Sequence, residues 1–194
     1  MAKETMERQI VYFETPGKAN TSSCLQIAQR AIGQYGYKYL IVASTTGETG
    51  VAFSEAFKGA DTRVVVVTHS YGFREANTIE LTAESADAIR QNGAMLYTGT
   101  MVTHSLETAL SAKSGGMYPA MIVAQALRRF GEGPKVCCEM VMMVADAGLV
   151  PEGSEVVVVA GTGKGADTVM VVRAAASKRF LDLKVLEILA KPRG

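Results

Sequence analysis

The chain has 194 residues, 48% of them hydrophobic and 20% charged, with twenty basic side chains against nineteen acidic ones and a net charge of +1. This composition excludes an intrinsically disordered chain, and it lacks the overall basic excess of a nucleic-acid-binding surface. The length fits one domain, expected to span residues 1–194, and is sufficient to bury a real core.

The first apolar run, residues 10–13, reads as a strand, and a helix is expected over 20–35. There Cys24, Leu25, Ala28, Ala31, Ile32 and Tyr35 fall on one stripe at helical spacing. Asn20 or Thr21 is placed to cap its start, and Gly36 to end it in the left-handed conformation. Strands follow at 39–43 and 64–68, with helical character over 51–58 between them. Their apolar residues are continuous rather than alternating, which suits strands covered on both faces. A weaker strand is expected at 94–97.

The middle third departs from this alternation. Residues 103–111, 118–129 and 134–147 all read as helix, separated by Gly115-Gly116 and by the glycine-bearing stretch 131–133. Pro134 suits a first helical turn, and Gly148 with Pro151 marks the stop. In 134–147, Val136, Cys137, Met140, Val141 and Val144 form one stripe, while Cys138, Met142 and Ala145 cover its flank. So apolar a helix is expected either deep in the core or at a subunit interface of a homo-oligomer. Met140, Met142 and Met143 read as adaptable core packing. Strands at 156–160 and 169–172, and a weaker one at 185–189, complete the chain. Strands alternating with helices predict a three-layer α/β/α fold around a mostly parallel mixed sheet.

Four loops after strands can carry chemistry. Ser44, Thr45, Thr46, Gly47, Glu48, Thr49 and Gly50 follow the strand 39–43 and lead into a helix. Hydroxyls and glycine-freed amides at a helix start suit a phosphate, and ligands of open α/β sheets gather at the carboxyl ends of strands. Gly161, Thr162, Gly163, Lys164, Gly165, Ala166, Asp167 and Thr168 follow 156–160. This segment precedes a strand rather than a helix, so it is neither a dinucleotide fingerprint nor a P-loop. A binding loop is preferred over a plain hairpin, because a hairpin needs far fewer glycines. Residues 15–23, with Asn20 and Thr21, most simply cap the first helix. The long loop 68–78 holds His69, Ser70, Tyr71, Gly72, Phe73 and Arg74 in a position where loops commonly carry function. No catalytic residues are assignable, since no nucleophile–base–acid spacing stands out.

Cys24, Cys137 and Cys138 make a poor disulfide framework, and with only His69 and His104 beside them no metal site is expected. The charged stretch 1–8 has no apolar signal region, and no window approaches the ~20 apolar residues that cross a bilayer. The expectation is a soluble cytoplasmic protein without membrane or nucleic-acid partners.

Residues 44–49 and 161–168 together resemble the phosphate and second effector loops of the C-terminal domain of pyruvate kinase, which binds a sugar-bisphosphate effector. The segments 11–21, 42–47, 67–73 and 161–168 are similar to a mostly archaeal family of stand-alone pyruvate kinase C-terminal-domain-like proteins associated with bound flavin mononucleotide (FMN). That resemblance spans nearly the whole chain and implies the pyruvate kinase C-terminal-domain-like α/β fold. Thr45 and Glu48 stand where the kinase domains often carry basic residues, which suits a single phosphate better than a bisphosphate. The catalytic barrel of pyruvate kinase has no counterpart here, so phosphoryl transfer is not implied.

What the resemblance implies is an FMN-binding protein, or a binder of a similar small phosphorylated ligand, with a flavin-dependent redox role open to it. The phosphate is expected on residues 44–50, and the loops 161–168 and 69–73 along the ring and ribityl chain. The alternative expectation is a non-catalytic regulatory or sensor module for a phosphorylated metabolite.

Overall fold

Runs of valine, whose branched side chains favour extended backbone, build the centre of a seven-stranded sheet. The computed structural model describes residues 5–194; residues 1–4, part of the charged N-terminal stretch, lie outside the described residues. The strands are β1 (Val11–Phe13), β2 (Tyr39–Ala43), β3 (Arg63–Thr68), β4 (Met95–Thr98), β5 (Glu155–Ala160), β6 (Thr168–Arg173) and β7 (Lys184–Pro192). Their order across the sheet is β1-β7-β6-β5-β2-β3-β4. Every neighbouring pair is parallel except the two made by β6, which runs antiparallel to β5 and to β7. The expected mixed, mostly parallel sheet is the one found.

The helices are α1 (Thr21–Tyr35), α2 (Glu48–Ala56), α3 (Ala83–Gln91), α4 (Ser105–Ser114), α5 (Pro119–Leu127) and α6 (Glu132–Asp146). Successive strand side chains point to opposite faces, and the core divides accordingly. Leu40, Val42, Val64, Val66, Val157 and Val159 pack with α1, α2 and α3. Ile41, Val65, Val67, Val156 and Val158 pack with α6. Three layers result, with the sheet in the middle.

Several boundaries differ from the sequence pattern for identifiable reasons. Helix α2 begins at Glu48 rather than at residue 51, because Gly47 takes the left-handed conformation (φ 106°) that turns the chain into the helix. A Cβ at Gly47 would stand 2.1 Å from that of Ser85, so α3 presses directly on this turn. Helix α3 has no counterpart in the expected elements; Thr82 caps it, its apolar residues lie on one face, and Ala86 and Ile89 are its buried residues. Asn20 does not cap α1 with its side chain. Its own backbone is already near-helical, and its amide instead donates to the carbonyls of Thr15, at 2.8 Å, and Gly17. Gly36 ends α1 in the left-handed region, its amide donating to Ile32 at 2.8 Å.

Helix α6 is buried by its own chain from Gly133 through Val144 except at Val136, so the interface reading of this helix is set aside. The segment 161–167 connects β5 and β6 as an antiparallel hairpin. Its glycines serve close packing as well as turning: a Cβ on Gly165 would lie 2.5 Å from Lys18 Cα. All three cysteines are free and buried. Burial pushes the Cys24 thiol up to about 12 and the Cys138 thiol up to about 11, which leaves them unreactive. No described helix is long and apolar enough to cross a membrane.

Candidate functional site

A cleft of about 480 Å³ opens at the carboxyl ends of β2, β3 and β5, where parallel α/β sheets place their ligands. One wall is the start of α2. Ser44 is 5% exposed, and its Oγ accepts the Gly50 amide at 2.9 Å, closing the first turn. The five amides of Thr45, Thr46, Gly47, Glu48 and Thr49 have no acceptor among the described residues. Unpaired amides at a helix start are the anion-binding end of the helix dipole. The side chains of Thr45, Thr46 and Thr49 line the cleft beside them.

Charge around this wall is largely self-compensated. Glu48 is hydrogen-bonded by the Lys18 ammonium, which holds its carboxyl below the usual carboxylate range. Likewise Glu80 pairs with Arg74 at 3.4 Å, Glu132 with Arg128 at 2.8 Å and Glu139 with Lys135 at 2.6 Å. Among the described residues, Lys164 is the cleft-lining cation with no carboxylate partner.

The hairpin 161–167 reaches the cleft through Gly161, Gly163, Lys164 and Gly165. Asp167 does not reach it. Fully buried, it accepts hydrogen bonds from the amides of Gly17 (2.8 Å) and Thr162 (3.0 Å) and from the Thr168 hydroxyl (2.9 Å). Thr21 is a second latch, donating to the Lys18 carbonyl and accepting the Ala166 amide at 3.0 Å. Thr21 and Asp167 therefore hold two loops together rather than line the cleft; Asn20, bonded within its own loop, Thr162, Gly47 and Gly50 lie outside its lining as well.

In the loop after β3, His69 and Phe73 line the cleft, while Ser70, Tyr71 and Gly72 do not. Tyr71 is 66% exposed and lies outside the cleft, while Phe73 lines it. The Phe73 ring lies 4.0 Å from that of His69 and 5.2 Å from that of His104. His69 Nδ1 meets Glu80 at 2.7 Å, which leaves Nε2 as the ring nitrogen free for other contacts.

The far wall is the one sequence reasoning missed. Val136, Met140 and Met143 of α6, with Met101, form an apolar surface; Lys135 and Glu139 stand among them. Met140 and Met143 are thus core packing, as expected, and cleft lining at once. The signal was present: a Lys and a Glu four apart inside an otherwise apolar helix are out of place unless they face something polar.

The chain matches the family described as "Pyruvate kinase, alpha/beta domain" over residues 22–172. Among solved structures it is similar to a pyruvate kinase from Cryptosporidium parvum, at 12% identity and a TM-score of 0.43, covering 80% of this chain and 23% of that one. The Cryptosporidium parvum pyruvate kinase in complex with ADP gives 12% identity and a TM-score of 0.43, over 80% and 24%. An O-ureido-L-serine synthase matches at 17% identity and a TM-score of 0.31, over 74% and 51%. The chain spans about a quarter of the length of those kinases. The family match runs from the start of α1 into β6 and takes in three of the four loops at the cleft mouth, and on it the chain belongs to the pyruvate kinase alpha/beta domain family.

Proposed function

We propose that the chain binds flavin mononucleotide, or a closely similar phosphorylated small ligand, with the phosphate on the start of α2. The observation that carries this reading is the row of five unpaired amides from Thr45 to Thr49, flanked by threonine hydroxyls. A phosphate monoester presents acceptor oxygens and negative charge, which is what such a row lacks. Lys164, which forms no ion pair among the described residues, adds a positive charge. Phe73, Met101, Met140 and Met143 offer an apolar lining suited to a planar ring, and the cleft volume of about 480 Å³ lies in the range of small-molecule sites.

A bound flavin supplies hydride and single-electron chemistry of its own. The chain's residues bind its phosphate, orient its ring and exclude water from it. The non-catalytic form of the reading, a sensor for a phosphorylated metabolite, draws on the pairing of Glu48, Glu80, Glu132 and Glu139, which leaves no carboxylate in the cleft free as a base. Three buried free cysteines favour the cytoplasm as the place of action.

Native mass spectrometry of the purified protein, followed by titration with FMN, tests the binding. The expected result is a co-purifying mass of a flavin or other phosphorylated ligand, and quenching of added FMN fluorescence. A colourless protein that neither carries such a ligand nor quenches FMN overturns the flavin reading. Reduction of the bound flavin by a nicotinamide cofactor separates the catalytic form from the sensor.

A further inference from the structure

Helix α6 lies on the opposite face of the sheet from α2, so the far wall of the cleft belongs to a different layer from the phosphate loop. On it, Lys135 and Glu139 stand one helical turn apart with side chains only 3% and 2% exposed. Taking two charges out of water costs about as much as their attraction returns, and a well-packed apolar pair is often as stable. Stability alone therefore does not account for an ion pair here.

The hydrogen bonds are unevenly distributed. Glu139 is fully engaged: Oε1 accepts the Thr103 amide at 2.8 Å and the Thr103 hydroxyl at 2.5 Å, and Oε2 accepts Lys135 Nζ at 2.6 Å. An ammonium carries three donors. Glu139 takes one of those of Lys135, and no other acceptor among the described residues takes the remaining two. The side chain nevertheless lines the cleft.

We infer that Lys135 is a ligand-binding residue whose free ammonium protons take a carbonyl or anionic oxygen at the end of the ligand remote from its phosphate. Glu139, fixed by Thr103, is the positioning residue that holds the ammonium in place. The inference rests on the phosphate reading of α2. A ligand anchored on α2 must cross the carboxyl edge of the sheet to reach α6, because the two helices flank opposite faces. The class that fits is a phosphate joined by a flexible chain to a planar ring bearing carbonyl oxygens. Inorganic phosphate fills only the α2 end.

The test compares FMN, riboflavin and inorganic phosphate on the full chain. Lys135→Met alone strands Glu139 as a buried charge, so the working variant is Lys135→Met with Glu139→Gln, which keeps an acceptor for Thr103. The expected result is FMN and riboflavin binding weaker by about tenfold, as for loss of a charged hydrogen bond, with phosphate affinity and melting temperature unchanged. Wild-type affinity for both flavins overturns the inference, and so does an equal loss for phosphate, which marks a general distortion. Lys135→Gln with Glu139→Gln, a neutral pair of similar reach, gives the same readout where the methionine variant does not fold. The two readings fail differently: a wild type that binds riboflavin as tightly as FMN and ignores phosphate sinks the α2 assignment, while a wild type that binds no flavin sinks both.

Discussion

Lys164 illustrates how little net charge says about a site. Each carboxylate of the cleft has a basic partner, which leaves this one cleft lysine without an ion pair among the described residues. It is exposed, so its removal should not change stability. Lys164→Ala should weaken FMN binding by about three- to tenfold at low salt, with the difference shrinking as salt screens the charge. Calorimetric titration at two ionic strengths measures both effects. His104 carries a different kind of information. Burial pushes its imidazole down from the ordinary 6.5, and the Lys135 ammonium adds to the push. The unfolded chain therefore takes up a proton that the folded one resists. Stability from this group is complete above the ordinary value and is lost as pH falls through it. His104→Asn should flatten the urea-unfolding free energy between about pH 7 and pH 5; an unchanged slope would dismiss the assignment.

At the scale of elements, α2 and α6 divide the work of the cleft. The start of α2 is prepared by its neighbours: Ser44 closes the first turn, and a Cβ on Gly50 would come within 2.7 Å of Val66 and 2.9 Å of Ile89. Close packing there holds the amide row rigid. Thr46 and Thr49 add hydroxyls to it. Replacing both by Ala should weaken FMN and inorganic phosphate alike, by about tenfold or more if each hydroxyl gives a charged hydrogen bond. Riboflavin affinity should not move. Unchanged phosphate affinity would remove the anion from this loop. The β5–β6 hairpin contributes through its shape: Asp167 and Thr21 latch it to the loop before α1, which carries Lys18 towards Glu48.

At the scale of the molecule, the cleft exists because both helical layers end at the same edge of the sheet. A ligand that bridges them ties the layers together. Saturation at about 100 times Kd should add about 2.7 kcal/mol to stability. Hydrogen exchange should slow both in residues 44–50 and in the first half of α6; protection confined to one layer would contradict a bridging ligand. The strands were legible from sequence because a buried strand announces itself locally: Val156, Val157, Val158 and Val159 need no knowledge of their neighbours to be read as one. The loop 44–50 was legible for the same reason, as glycine and hydroxyl residues concentrated between a strand and a helix. Helix α3 was not read, although Thr82 caps it and its apolar residues lie on one face; it is short, and only Ala86 and Ile89 are buried. The partners of the loops were not either. His69 meets Glu80, and Gly17 meets Asp167 across 150 residues, through folding of the chain on itself.

The sequence by itself determined the α/β class, the strands, most of the helices and the place of the glycine- and hydroxyl-rich loop between β2 and α2, since each depends on residues close in the chain. Only the tertiary structure decided that the glycine-rich segment is a hairpin, that Asp167 and Thr21 latch loops together, and that Lys135 and Glu139 face the cleft. Those facts depend on the strand order β1-β7-β6-β5-β2-β3-β4, which sets β5 beside β2 and so brings α6 and α2 to one edge. Hydrophobic periodicity reports which face of an element is buried, not which element buries it.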